Sequence, residues 1–185
     1  MPNWVSNQLN VYGDEEKLAT IKKEIANDAT KEVIDFNKIV TMPEHGDAFY
    51  AYGNLGEAEL QKYGKNNWYH WSIENWGTKW NCCETECVCT PTGLFYNFET
   101  AWDTVFPIAE AISKKYGVRV ELTYFDEEIG CNCGEIEFDA IGAITKHNHF
   151  EENGYDFVAL HYGDEYLEEN GFVKENGEWV FRCDG

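Results

Sequence analysis

The chain is short of positive charge. Its 185 residues include 14 lysines and arginines against 34 aspartates and glutamates, a formal charge of −20. A surface of that sign repels phosphate backbones and anionic lipid, so direct binding to DNA, RNA or a membrane surface is disfavoured. No apolar run approaches the roughly 18 residues of a membrane-spanning helix. The opening residues, Met1-Pro2-Asn3-Trp4, have neither the basic start nor the apolar stretch of a secretory signal. A cytoplasmic protein is therefore expected. Its seven cysteines are then expected as thiols or metal ligands rather than disulfides.

The usual signatures of chemistry are missing too. There is no glycine-rich phosphate loop, nucleophile elbow or HExxH helix. Gly77-Thr78-Lys79 lacks the longer spacing of a phosphate loop. Carboxylates are so many that no pair stands out as general acid and base. No internal repeat, low-complexity tract or linker divides the chain. The expectation is one non-enzymatic domain.

What is present is enough for a core, and 16% aromatic residues make much of it ring packing. Trp4, Leu9 and Val11 predict a strand from Asn3 to Tyr12. Asp14 caps a helix that carries Leu18, Ile21 and Ile25 on one face. A second strand is expected over 33–40, from Val33-Ile34-Asp35-Phe36 and Ile39-Val40. Residues 44–93 are expected as an insertion, with a short helix over Glu57–Tyr63. Leu94–Phe98 reads as a strand. Pro107 starts a helix bearing Ile108, Ala111, Ile112 and Tyr116, ended by Gly117. Val118–Phe125 and Ile136–Ile141 alternate as a hairpin. Beyond them lie an acidic helix near Asp164–Asn170 and a last hairpin. In it Phe172-Val173 meets Trp179-Val180-Phe181 across Asn176-Gly177.

Strand–helix–strand, insertion, strand–helix–strand is the split βαβ order. The predicted fold is α+β, a ferredoxin-like sandwich with an antiparallel sheet and two packed helices. Residues 1–142 form that domain, and 143–185 an acidic extension packed on it.

Four motifs carry a family resemblance. Met1-Pro2-Asn3-Trp4 with Ser6-Asn7 comes first. Asp35-Phe36-Asn37-Lys38-Ile39-Val40 with Met42-Pro43-Glu44 is the second. Asn75-Trp76-Gly77-Thr78-Lys79-Trp80 is the third, and Thr100-Ala101-Trp102 the fourth. In this order, over roughly residues 1–140, they resemble the YubB ferredoxin-like family of phage and plasmid proteins. The resemblance implies the fold and a mobile-element setting, and brings no catalytic residue. The cysteines at 82–89 and the chain past about 143 stand outside its pattern.

Asn75, Trp76, Gly77, Thr78, Lys79 and Trp80 are read as a structural hinge, with Gly77 turning the chain and Trp76 and Trp80 fixing it to the core. The nearby Trp68, Tyr69 and Trp71 are read as core packing rather than a base-stacking platform, because only Lys65 and Lys79 are close. Cys82, Cys83, Cys87 and Cys89 lack finger or ribbon spacing, so free thiols are expected. A structural zinc on Cys82, Cys87, Cys131 and Cys133 would require the two hairpins to be neighbours. His147 and His149 would share a face of a strand.

Half of the acids, but only three bases, lie beyond residue 120. Asp126, Glu127, Glu128, Glu135, Glu137, Glu151, Glu152, Asp164, Glu165, Glu168 and Glu169 are therefore the candidate partner-binding residues. With the mobile-element resemblance they point to an inhibitor, of anti-CRISPR or anti-restriction type. It would fill the basic nucleic-acid groove of a host defence nuclease. The alternative is a nucleic-acid- or zinc-binding accessory protein working through the central tryptophans and cysteines.

Overall fold

Alternation of apolar and polar residues sets the centre of the sheet. The computed structural model describes residues 2–29, 33–42 and 67–182. In chain order the elements are β1 (Trp4–Tyr12), α1 (Glu15–Ile25), α2 (Phe36–Ile39), α3 (Trp68–Trp76), β2 (Cys83–Thr90) and β3 (Gly93–Ala101). Then come α4 (Phe106–Tyr116), β4 (Arg119–Asp126), β5 (Cys133–Phe138), β6 (Ile144–Phe150), α5 (Tyr155–Tyr162), α6 (Asp164–Glu169), β7 (Phe172–Glu175) and β8 (Glu178–Phe181).

β1 buries Val5, Asn7, Leu9 and Val11 on one face. It lies between β3 and β4, antiparallel to both. The full order is β2-β3-β1-β4-β5-β6. β1-α1-β2-β3-α4-β4 is thus a complete split βαβ unit, and β5 and β6 extend it beyond β4.

Both long helices lie on one side. The Asp14 carboxylate accepts the Lys17 N–H at 2.9 Å, which starts α1, and Leu18, Ile21 and Ile25 are buried. α4 has proline in its first turn and ends at Gly117 in the left-handed region. It buries Ile108, Ala109 and Ile112. These residues form one core with Leu9, Val11, Leu94, Tyr96, Phe98, Val120, Leu122, Ile136 and Phe138. A second cluster joins Phe125 and Cys133 of the sheet to Phe157, Val158, Leu167, Phe172 and Trp179. Phe125 lies out of phase with Leu122 and Tyr124, so this cluster sits on the opposite face. The last hairpin has the expected turn, with Asn176 and Gly177 both at positive φ and Val173 opposite Val180.

Three sequence expectations need correction. Residues 33–40 hold a helical turn, α2, and not the second strand. The Asp35 side chain accepts the Asn37 N–H at 3.0 Å, and Asn81 Oδ1 accepts the Phe36 N–H at 3.1 Å. Side-chain acceptors on these N–H groups compete with ladder pairing. The second strand of the unit is β2, inside the span 44–93 assigned to the insertion. It pairs with β3 through Cys87↔Tyr96 and Cys89↔Leu94. As an edge strand it is mostly exposed and carries little apolar alternation. Lastly, the sheet does not stop at 142. Asp139 Oδ1 accepts the Ile141 and Ala143 N–H groups at 3.0 and 2.8 Å, which folds the chain back as β6 along β5. The helix expected at Glu57–Tyr63 lies outside the described residues.

Candidate functional site

The central motif is a clamp. Asn67 Oδ1 accepts the His70 N–H at 3.0 Å and caps α3. At the other end Trp76 is buried, and its Nε1 donates to the Val40 carbonyl at 2.8 Å. Gly77 has φ +86°, and an added Cβ would strike the Thr104 carbonyl. The Thr78 hydroxyl donates to Ala101 O at 2.8 Å, and the Ser72 hydroxyl to Lys79 O at 3.0 Å. Asn75 donates back to Trp71 O at 2.9 Å. Deeper still, Asn7 donates to Thr100 Oγ1 at 2.8 Å and accepts from the Thr104 hydroxyl at 2.6 Å. Thr78 ties the turn after α3 to β3, Trp76 ties α3 to the segment after α2, and Asn7 joins β1 to Thr100 and Thr104. Trp80 departs from the expected role: it is 41% exposed, with the Lys79 ammonium 4.3 Å from its ring. It does not fix the motif to the core.

The four cysteines suggested for zinc do not meet. Cys87 is on β2 and Cys133 on β5, with β3, β1 and β4 between them, a gap of roughly 19 Å at ordinary strand spacing. Cys82 precedes β2 and donates to Ile34 O at 3.1 Å; Cys131 belongs to the turn before β5. Burial pushes the Cys82 and Cys133 thiols up to about 11, so both stay protonated. Among the described residues no three histidine, cysteine, aspartate or glutamate side chains are placed to share a metal. His147 and His149 do share a face. His149 Nδ1 lies 2.6 Å from the Tyr124 hydroxyl, and His147 meets Phe106 edge-on.

The face of the sheet away from α1 and α4 is polar. The register places Ser6, Gln8, Asn10 and Tyr12 of β1 beside Asn97 and Glu99 of β3 on one side. On the other side lie Glu121 and Thr123 of β4, then Glu135 and Glu137 of β5 and Lys146 and Asn148 of β6. The Arg119 guanidinium lies 4.0 Å over the Tyr12 ring and bonds Glu121 and Glu137. Lys146 pairs with Glu135 at 2.6 Å. Burial works against the charge of Glu135, but hydrogen bonds from Lys146 and Asn148 outweigh it and hold the carboxyl below its usual range.

The end of α5 stands on this face, where His161 and Tyr162 pack against Phe125 at 5.4 and 4.8 Å between ring centres. It separates two hollows. One, of about 360 Å³, is lined by Gln8, Asn10, Glu121, Thr123, Glu135, Glu137, Lys146 and His161. The other, of about 250 Å³, is lined by Ser6, Gln8, Glu84, Glu86, Asn97, Glu99 and Tyr162. In the second, burial first, and then the nearby Glu84 and Glu127, raise the Glu99 carboxyl.

The eleven acids named from sequence fall into three groups. Asp126 ends β4 with Glu127 and Glu128 directly after it, and Glu151 and Glu152 follow β6. Their turns are tied by Gly154 N–H to Gly130 O at 2.8 Å and Asn132 N–H to Glu151 O at 3.2 Å, so these five share one end of the sheet. Asp164, Glu165, Glu168 and Glu169 lie on α6, which follows directly from α5 and is joined to it by stacked Tyr162 and Tyr166 rings. Glu135 and Glu137 lie on the polar face, already ion-paired. Glu84, Glu86, Glu99 and Glu121 belong to the same acidic surface. The bias toward residues past 120 hid Glu84, Glu86 and Glu99, and Glu121 was passed over, although Glu99 and Glu121 alternate with apolar neighbours and so announce an outward face.

Sheet order, helix placement and handed-on register define this as a protein of the ferredoxin-like class. Residues 75–165, just under half of the chain, match the family model described as the ferredoxin-like domain in Api92-like protein. The fold is similar to that of the protein api92 from Yersinia pseudotuberculosis, with a TM-score of 0.54 at 7% identity. That likeness covers 81% of this chain and 98% of that one. No protein with a curated description matches. These likenesses support the ferredoxin-like class and not the YubB name in particular, and neither description states a catalytic activity. Among the described residues no helix is long and apolar enough to cross a membrane.

Proposed function

We propose that this is a mobile-element accessory protein of the YubB type that acts, without catalysis or cofactor, as an acidic inhibitor. Its partner is the basic nucleic-acid groove of a host defence nuclease in the cytoplasm, of CRISPR-effector or restriction type. One observation carries most of the weight. Nine of the eleven candidate acids, all except Glu135 and Glu137, make no ion pair among the described residues. Five of the nine are gathered at one end of a six-stranded sheet, next to Glu84 and Glu99. Carboxylates held on a rigid scaffold replace phosphates against lysine and arginine, and their field speeds encounter.

The test uses purified restriction enzymes and guide-loaded CRISPR effectors of several types, immobilised and challenged with the full chain at moderate salt. Capture by at least one nuclease, with loss of its DNA binding, is the expected result. Absence of binding to all of them rejects the proposal. A gel shift with single-stranded DNA or RNA in the same conditions is expected to be blank.

A further inference from the structure

Trp179 is the hub of the C-terminal hairpin. It is 8% exposed and belongs to the second hydrophobic cluster. Lys174 is its cross-strand partner. The Lys174 ammonium lies 4.9 Å from the centre of the Trp179 ring and 3.8 Å from Asp156 of α5. Trp179 also borders a hollow of about 390 Å³, together with Asn153, Tyr155, Asp156, Gly177 and Glu178. Lys174 lies beside this hollow and does not line it. Glu178 makes no ion pair among the described residues.

Two aromatic rings and two carboxylates therefore bound one space. An indole is the strongest of the aromatic cation acceptors, and carboxylates add a Coulomb term. The volume is at the lower end for a ligand site, the size for a side chain rather than a large ligand. The surrounding field excludes anions, since only three bases accompany the 17 acids beyond residue 120. The ammonium of Lys174 marks the chemistry this ring and Asp156 accept. We propose that the hollow is a pocket for a lysine side chain of the partner and that Lys174 is its internal competitor. This rests on the reading of the partner as a basic surface and names one contact within it.

The experiment follows the Trp179 indole N–H resonance of the full chain, assigned with Trp179→Phe, during titration with pentalysine. That N–H is buried and has no acceptor among the described residues, so its resonance reports the state of the ring. A saturable shift is expected. The double variant Asp156→Asn/Glu178→Gln should weaken it at least tenfold, and Lys174→Met should strengthen it severalfold. No saturable shift, or an unchanged affinity in the double variant, overturns the pocket. Pentaarginine binding as tightly as pentalysine overturns the assignment to lysine. The larger reading is tested separately. If pentalysine binds as expected but no nuclease is captured, the nuclease proposal fails and the pocket stands. If a nuclease is captured equally by the double variant, the pocket is excluded from that interface.

Discussion

Gly77 and Trp80 are three residues apart and serve different ends. Gly77 is locked by its left-handed backbone and by the Thr104 carbonyl where a Cβ would go. Gly77→Ala should cost about 2 kcal/mol or more in urea unfolding. Trp80→Ala, at an exposed ring, should stay within about 0.5 kcal/mol. Glu99 offers a pH-dependent test. Burial, then Glu84 and Glu127, raise its carboxyl in the folded state. The folded protein then holds that proton more tightly than the unfolded chain, so stability falls as pH rises through the folded value. Glu99→Gln should stabilise the protein at neutral pH by about 0.5 kcal/mol, discounted for its partial exposure. The gain should vanish in acid. Cysteine labelling gives a third test: exposed Cys89 should react with iodoacetamide well before part-buried Cys82 and buried Cys133, both protonated, as mass spectrometry of digests would show.

At the scale of elements, the C-terminal segment is held to the sheet by one cluster around Phe125, Phe150 and Phe157. Phe157→Ala should cost about 3 kcal/mol. It should open amide exchange in α5, α6, β7 and β8 while β1, β3 and β4 stay protected. The elements legible in the sequence were those whose local chemistry and burial agree: β1 with its alternation, α1 with its Asp14 cap, α4 between Pro107 and Gly117, and the Asn176-Gly177 hairpin. The second strand was misplaced because Val33–Val40 looks β-prone, while the side chains of Asp35 and Asn81 bind its backbone. β2 was hidden because an edge strand of cysteines, glutamates and threonines has no apolar face to betray it. The polar face was half legible. Gln8, Asn10 and Glu121 alternate with apolar residues, yet only the register shows that they converge with Glu135, Glu137 and Lys146. The separation of Cys87 from Cys133 by three strands depends on sheet order, which spacing along the chain does not encode.

At the scale of the whole molecule, a charge of −20 has two opposed consequences. The folded chain repels itself, so added salt should raise its melting temperature. A partner held by charge should release it over the same range, because screening at ~0.5 M salt acts within a few ångströms. The ferredoxin-like scaffold supplies rigidity, and the turns and the helix α6 added beyond β4 carry eight of the nine candidate acids that make no ion pair among the described residues. The most direct test of that division is competition for DNA. A labelled duplex bound to a captured nuclease is followed by fluorescence anisotropy at ~0.15 M salt. The parent chain is compared with a variant carrying asparagine or glutamine at Asp126, Glu127, Glu128, Glu151, Glu152, Asp164, Glu165, Glu168 and Glu169, shown to be folded by circular dichroism. The parent chain is expected to displace the duplex and the neutralised variant to leave it bound. Equal competition by the two would rule out these carboxylates as the inhibitory surface.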